Sequence, residues 1–252
     1  MKNLFYSQIQ PLDEKRKVFI GKSEKETLVF SAHYLMEIGK KALQAKGSFS
    51  LALSGGSTPK KIFSYLEKNY ADSPIWKKTY LFWSDERAVS PQDKESNYKM
   101  AMDAGFSKIP IPKSHIFRMK AEKDIEKEAK NYEKLIQEKL GSSLFDLVML
   151  GMGDDGHTAS LFPETKGLNV KDRLVIANYV PQKNTWRMSV TFEAINQSQN
   201  ICLYVLGENK AKMVHEIFSL EQEKYPVQKV GSFSAPALWI LDEKAASLLT
   251  TN

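Results

Sequence analysis

Short apolar runs alternate with longer amphipathic ones along almost the whole chain. RKVFIG (16–21) has the length and β-branched content of a strand. Ser23 and Glu26 then have the spacing of a capping box, which predicts a helix running as far as Gly47. SFSLAL (48–53) predicts a strand, and 59–69 a helix with Pro59 in its first turn. TYLFWS (79–84) predicts the next strand, followed by a loop and a helix near SNYKMAMDA (96–104). The charged stretch 124–140 reads as a helix stopped by Gly141, and FDLVMLGMG (145–153) as a buried strand. The second half continues with apolar runs at 174–180, 187–192 and 200–207, a helix at 210–218, the strand ALWIL (237–241) and a terminal helix DEKAASLL (242–249).

Strands interleaved with helices call for crossover connections, hence a mostly parallel sheet covered on both faces. The expected fold is α/β: a single three-layer α/β/α domain over residues 1–252 with a Rossmann-like sheet. No internal repeat or low-complexity linker breaks the pattern. Ligands of such open sheets bind at the carboxyl ends of the strands, so those ends are where candidate chemistry is sought.

Composition narrows the function classes. With 42% hydrophobic and 26% charged residues the chain reads as globular. Its one cysteine, Cys202, sits inside the apolar run ICLYVL, where a buried strand residue is expected and no internal disulfide can form. The N-terminal segment has an apolar run too short for a signal-peptide core, and no stretch has the length of a membrane span. A cytoplasmic location without membrane contact is therefore expected. The net charge of +6 raises nucleic acid as a partner, but the lysines are interleaved with glutamates, as on a solvated helix face. An anionic small molecule accounts for the balance, and no nucleic-acid partner is expected. Nothing marks a stable assembly; a monomer or weak homo-oligomer is expected.

Three strand ends carry unusual residues. After SFSLAL come Ser54, Gly55, Gly56, Ser57 and Thr58, then a helix. Glycines let the backbone approach a ligand, and a helix N-terminus with hydroxyls suits an anion such as phosphate. The alternative is a tight strand-to-helix turn. The strand FDLVMLGMG runs into Asp154-Asp155-Gly156-His157-Thr158-Ala159-Ser160-Leu161-Phe162-Pro163. There His157, two residues after Asp155, is placed to take a proton from water, with a carboxylate to orient it. The alternative is a histidine capping a short helix. TYLFWS ends in Asp85-Glu86-Arg87, with Asn97 ten residues after Arg87. Arg87 could bind substrate or an oxyanion, or simply pair with the neighbouring acids. Arg187 and Lys210 follow at later element boundaries and in isolation read as single surface charges. His33, His115 and His215 read as structural, and no histidine pair has metal-ligand spacing, so no metal site is expected.

Taken in order, LALSGGSTP, FWSDERAV with SNY, FDLVMLGMGDDGHTASLFP, the Arg187 strand, VLGENKA and PALWILDEKAA resemble the 6-phosphogluconolactonase family, within the superfamily that includes glucosamine-6-phosphate isomerase (deaminase). The resemblance spans residues 51–246. It implies hydrolysis of a phosphorylated sugar lactone in the oxidative pentose phosphate pathway, without a cofactor. It also implies that His157 is the general base, with Asp155 beside it. The Ser54–Thr58 loop would hold the phosphate with Arg187 and Lys210, Arg87 would face the reacting end, and Asn97 would belong to the binding side. Asp85 matches an acidic position of the deaminases. Those enzymes follow their histidine with Asn-Glu-Pro, whose glutamate assists ring opening; here the register reads Leu161-Phe162-Pro163, and a phenyl ring cannot relay a proton. This favours the lactonase branch over the deaminase; a non-catalytic sugar-phosphate sensor is disfavoured separately, because it would keep the loop but have no need of the acid–histidine turn.

Overall fold

The computed structural model describes residues 6–141, 144–220 and 222–249; the first five residues, part of the N-terminal segment read for a leader, lie outside them. Among the described residues a seven-stranded sheet has the order β1-β2-β10-β9-β6-β3-β4. Its strands are β1 (Gln10–Pro11), β2 (Arg16–Gly21), β3 (Phe49–Leu53), β4 (Thr79–Trp83), β6 (Leu147–Leu150), β9 (Ile201–Val205) and β10 (Ala237–Asp242). All neighbours are parallel except β1 and β2. Every residue of β3, β6, β9 and β10 is buried, because crossover helices cover both faces and leave no strand position facing water. These strands are accordingly continuous apolar runs, such as FSLAL and LVML, rather than alternating ones.

The helices begin largely where the sequence signals lie. In α1 (Glu24–Lys46) the Ser23 hydroxyl accepts from the Glu26 N–H, and Gly47 closes the helix with φ 76°. The reciprocal arm of the expected box falls one residue earlier, since the Glu26 carboxylate accepts from the Lys22 N–H. α2 (Ser57–Tyr70) starts two residues before the predicted point, and α4 (Ile125–Leu140) is capped by Asp124. α3 (Asn97–Ala101) covers only half of its predicted span and widens into a π-turn over Met102–Phe106. The short α5 (Phe192–Asn196) and α6 (Ala211–Ser219) complete the set. Phe19 and Phe30 stack at 3.5 Å between β2 and α1, and Cys202 lies fully buried in β9, where burial pushes its thiol up to about 12.

Two expectations are corrected. The apolar runs at 174–180 and 187–192 do not join the parallel sheet. They form β7 (Val175–Val180) and β8 (Thr185–Val190), which pair antiparallel and, with β5 (Asp85–Arg87), make a separate sheet of order β5-β8-β7. Only residues 181–184 connect β7 to β8, with Asn184 in the left-handed region at φ 46°; that suffices for a hairpin but not for a crossover. The predicted terminal helix is also absent. Asp242 ends β10, and 243–249 are turns in which the Ser247 and Leu249 N–H groups bond three residues back rather than four. The Asp242 carboxylate, which accepts from Gly207 and Ala245, ties this segment to the end of β9.

Candidate active site

β3, β6 and β9 all end on one cleft of about 270 Å³, and the small sheet closes its side. The loop after β3 supplies one wall. Gly56 has φ 102°, a value that favours glycine, and it leads into α2 without a side-chain cap. Pro59 has no N–H, and the first bond of the helix runs from Lys60 N to Gly56 O at 3.2 Å. The N–H groups of Ser57 and Thr58 are thus left at the helix end, with the positive pole of its dipole behind them.

β6 leads through Gly151-Met152-Gly153 into the acid–histidine turn. Asp155 Oδ1 lies 2.5 Å from His157 Nδ1 and also accepts from the His157 N–H at 3.2 Å. Partial burial pushes the Asp155 carboxyl up, but the hydrogen bond and charge of His157 outweigh it and hold the group below its ordinary range. With Nδ1 occupied, Nε2 is left as the ring nitrogen available to a ligand. Gly153 is needed here for space: a Cβ would stand 2.0 Å from His157 Nδ1. No helix follows that His157 could cap; residues 158–165 are irregular.

The turn is fastened to the small sheet through Ser160, which is fully buried. Its N–H donates to Ser189 Oγ on β8, its hydroxyl to Asp85 Oδ2 on β5 (2.7 Å), and its carbonyl accepts from Asn178 Nδ2 on β7. Asp85 is therefore a buried anchor, which also receives Asn97 Nδ2 on its carbonyl and on Oδ1. Asn97 in turn packs against the loop, since a Cβ on Gly55 would lie 2.0 Å from its Oδ1.

On β5 and β8, Arg87 and Arg187 are direct cross-strand partners. Two like charges face each other there, and the Nε of each is buried without a hydrogen-bond partner among the described residues. Burial pushes the Arg187 guanidinium down and the Arg87 charge adds to this, against Asp85, Glu86 and Glu95. Arg87 Nη1 donates to the Glu95 carbonyl at 2.5 Å. Such a pair is unfavourable by itself, and negative charge brought into the cleft beside it would offset the repulsion. Lys210, after β9, reaches Asp154 Oδ1 at 2.5 Å; the lysine is mostly covered and the aspartate mostly exposed.

The structure thus brings every candidate residue to one cleft except Asp155, which stands behind His157. His33 in α1, His115 stacked on Tyr80, and His215 in α6 are not among the residues lining it. Sequence reasoning missed Gly153, Ser160 and Asn178 as supports. It also missed Glu86, a buried carboxylate accepting from Arg87 N, Asn97 N, Tyr98 N and Ser96 Oγ. Burial pushes Glu86 up against these donors, and the four bonds set where Asn97 stands. Phe162, read only as a departure from the deaminases, stacks on the His157 ring. Among the described residues no three His, Cys, Asp or Glu side chains group as metal ligands, and no helix is long and apolar enough to cross a membrane.

Residues 22–239 match the family model described as glucosamine-6-phosphate isomerases/6-phosphogluconolactonase. The 6-phosphogluconolactonase of Chlamydia trachomatis is 39% identical over 231 residues, covering 91% of this chain and 89% of that one. Among solved structures, the 6-phosphogluconolactonase from Trypanosoma cruzi superposes with a TM-score of 0.83 at 28% identity, over 94% of this chain and 98% of the other. A monomeric glucosamine-6-phosphate deaminase superposes with a TM-score of 0.76 at 22% identity over 92% and 99%, a likeness of fold alone.

Proposed function

Since the chain belongs to the glucosamine-6-phosphate isomerase/6-phosphogluconolactonase family, we propose that this cleft hydrolyses 6-phospho-D-glucono-1,5-lactone to 6-phosphogluconate, the lactonase step of the oxidative pentose phosphate pathway. The observation that carries the reading is the joining, in one cleft, of the Asp155-oriented His157 with a helix N-terminus and two arginines that lack partners at Nε.

The α2 N-terminus, the Ser54–Thr58 loop, Arg187 and Lys210 bind the phosphate, and Asn97 helps shape that wall. Lys210 exchanges Asp154 for the phosphate as substrate enters. Anchoring the phosphate places the ester carbonyl at His157. His157 Nε2 takes a proton from water as the water oxygen bonds to C1; Asp155 holds the ring in the required orientation and steadies the imidazolium. Arg87 stabilises the charge developing on the carbonyl oxygen. The C1–ring-oxygen bond then breaks, and His157 returns the proton to the departing oxygen. Asp85 acts through Ser160 and Asn97, as a support. No metal or cofactor takes part, because a lactone is already an activated ester. The whole chain works as a single domain, as a monomer or weak homo-oligomer in the cytoplasm, a placement supported by its lone buried thiol.

Phe162, where the deaminase pattern places a glutamate, favours the lactonase over the deaminase reading. The test is hydrolysis of freshly made lactone above its spontaneous rate, in chelator, with no ammonia released from glucosamine 6-phosphate. His157→Ala should lower kcat by about 10²–10⁴. Retention of kcat in that variant would remove His157 from the chemistry, and loss of activity in chelator would overturn the metal-free mechanism.

A further inference from the structure

The imidazole of His157 is held at one edge by Asp155, but a single hydrogen bond to Nδ1 leaves the ring free to rock about that bond. Asp155 is itself half exposed, so water competes for the contact. What determines the plane of the ring is on its face. The Phe162 phenyl lies parallel to the imidazole, with centroids 3.8 Å apart and an angle of 17° between the planes. Phe162 is only 3% exposed, and its own backbone is tied down: its carbonyl accepts from the Thr165 hydroxyl at 2.8 Å and from the Thr165 N–H at 3.3 Å. Thr165 Oγ1 accepts in turn from Asn178 on β7. The backbone that carries the phenyl is thus tied to the small sheet, which also carries Arg87 and Arg187.

We propose that Phe162 is a positioning residue for the reaction: it clamps the plane of His157 so that Nε2 keeps its bearing on the ester held by the arginine-bearing sheet. This rests on the reading of His157 as the base. The clamp has three parts: Asp155 at Nδ1, Gly153 allowing close approach at the same edge, and the phenyl on the face. An aliphatic side chain of similar volume fills the space but offers no flat surface to set the plane. A tyrosine offers the same flat face.

The proposal is tested with Phe162→Leu and Phe162→Tyr, measuring kcat and KM on the phosphorylated lactone, thermal midpoints, and the ring-proton resonances of His157, assigned by their loss in His157→Ala. In the wild type these resonances should lie upfield of free imidazole in the same ionisation state, shielded by the stacked phenyl. Phe162→Leu should move them downfield and lower kcat roughly 10–100-fold, the scale of a small misplacement of a reacting group, with KM within about twofold. Phe162→Tyr should keep the shielding and most of kcat. A folded Phe162→Leu with wild-type kcat, or a loss confined to KM, overturns the proposal. So do wild-type resonances at free-imidazole positions, a result obtainable even if the leucine variant does not fold. If His157→Ala retains kcat, it is the base assignment that fails, while the shielding still reports whether the clamp exists.

Discussion

Replacing Arg187 by Met separates binding from stability in a way the cross-strand geometry makes specific. Methionine keeps an unbranched apolar stem in the space of the arginine but removes the charge and all five donors. Two effects of opposite sign follow. With Arg187 on the phosphate as proposed, the variant loses a charge-assisted hydrogen bond worth about 1.5–3 kcal/mol, so kcat/KM for the phosphorylated lactone should fall roughly 10–150-fold at 1.4 kcal/mol per decade. The unliganded protein, in contrast, is relieved of a like charge directly opposite Arg87 and of a buried Nε without a partner. A cross-strand charge pair is worth about 0.2–1 kcal/mol. In a chain of this size about 1 kcal/mol moves the melting temperature some 2–4 °C, so Tm should be unchanged or rise by up to about 4 °C. The assay is steady-state hydrolysis of 6-phosphogluconolactone beside glucono-δ-lactone, together with thermal melts with and without 6-phosphogluconate. Hydrolysis of the phosphate-free lactone should hardly respond, and stabilisation by the product should shrink. A Tm several degrees lower, with equal losses on both lactones, would show that Arg187 serves the fold, and its assignment to the phosphate would fall.

Two further predictions concern the acid–histidine turn. Gly153→Ala places a Cβ 2.0 Å from His157 Nδ1, so the imidazole must move and kcat should fall about 10²-fold; Gly151→Ala, whose Cβ meets nothing within 4 Å, should be nearly neutral, and similar kinetics for the two would refute the steric argument. Asp155→Asn should lower kcat about 10–150-fold through loss of a charge-assisted bond. Because the folded carboxyl is held below its ordinary range, its pairing with His157 stabilises the protein above the unfolded carboxyl's pKa and is lost as pH falls through the folded one. The Tm advantage of wild type over Asp155→Asn should therefore be full near neutrality and close on acidification; an advantage that grows towards acid pH would contradict the pairing.

Much of this protein was legible in the order of its residues, for a local reason. The strands β3, β4, β6, β9 and β10 are apolar runs long enough to be buried on both faces, and crossover helices between them leave little choice but a parallel sheet. The glycine-rich loop and the turn from Asp154 to Pro163 were recognisable because each packs its distinctive residues within ten positions, where spacing alone expresses the geometry. The Asp155–His157 contact is of that kind, two residues apart.

What lay beyond the sequence depends on which distant strands become neighbours. Nothing in RMSVTF marks it as the partner of Asp85-Glu86-Arg87, a hundred residues earlier: the resemblance alone sets Arg187 apart from other surface charges, and only the pairing of β5 with β8 brings it opposite Arg87. The same holds for Ser160, whose N–H, hydroxyl and carbonyl are shared among three strands of a sheet that the alternation of apolar runs did not reveal. Phe162 shows the division within one short stretch: its place after the histidine was plain in the sequence, but a turn has too few internal bonds to decide the orientation of its side chains. Only when Thr165, Asn178 and the small sheet hold the backbone from outside does the phenyl come to lie on the face of His157.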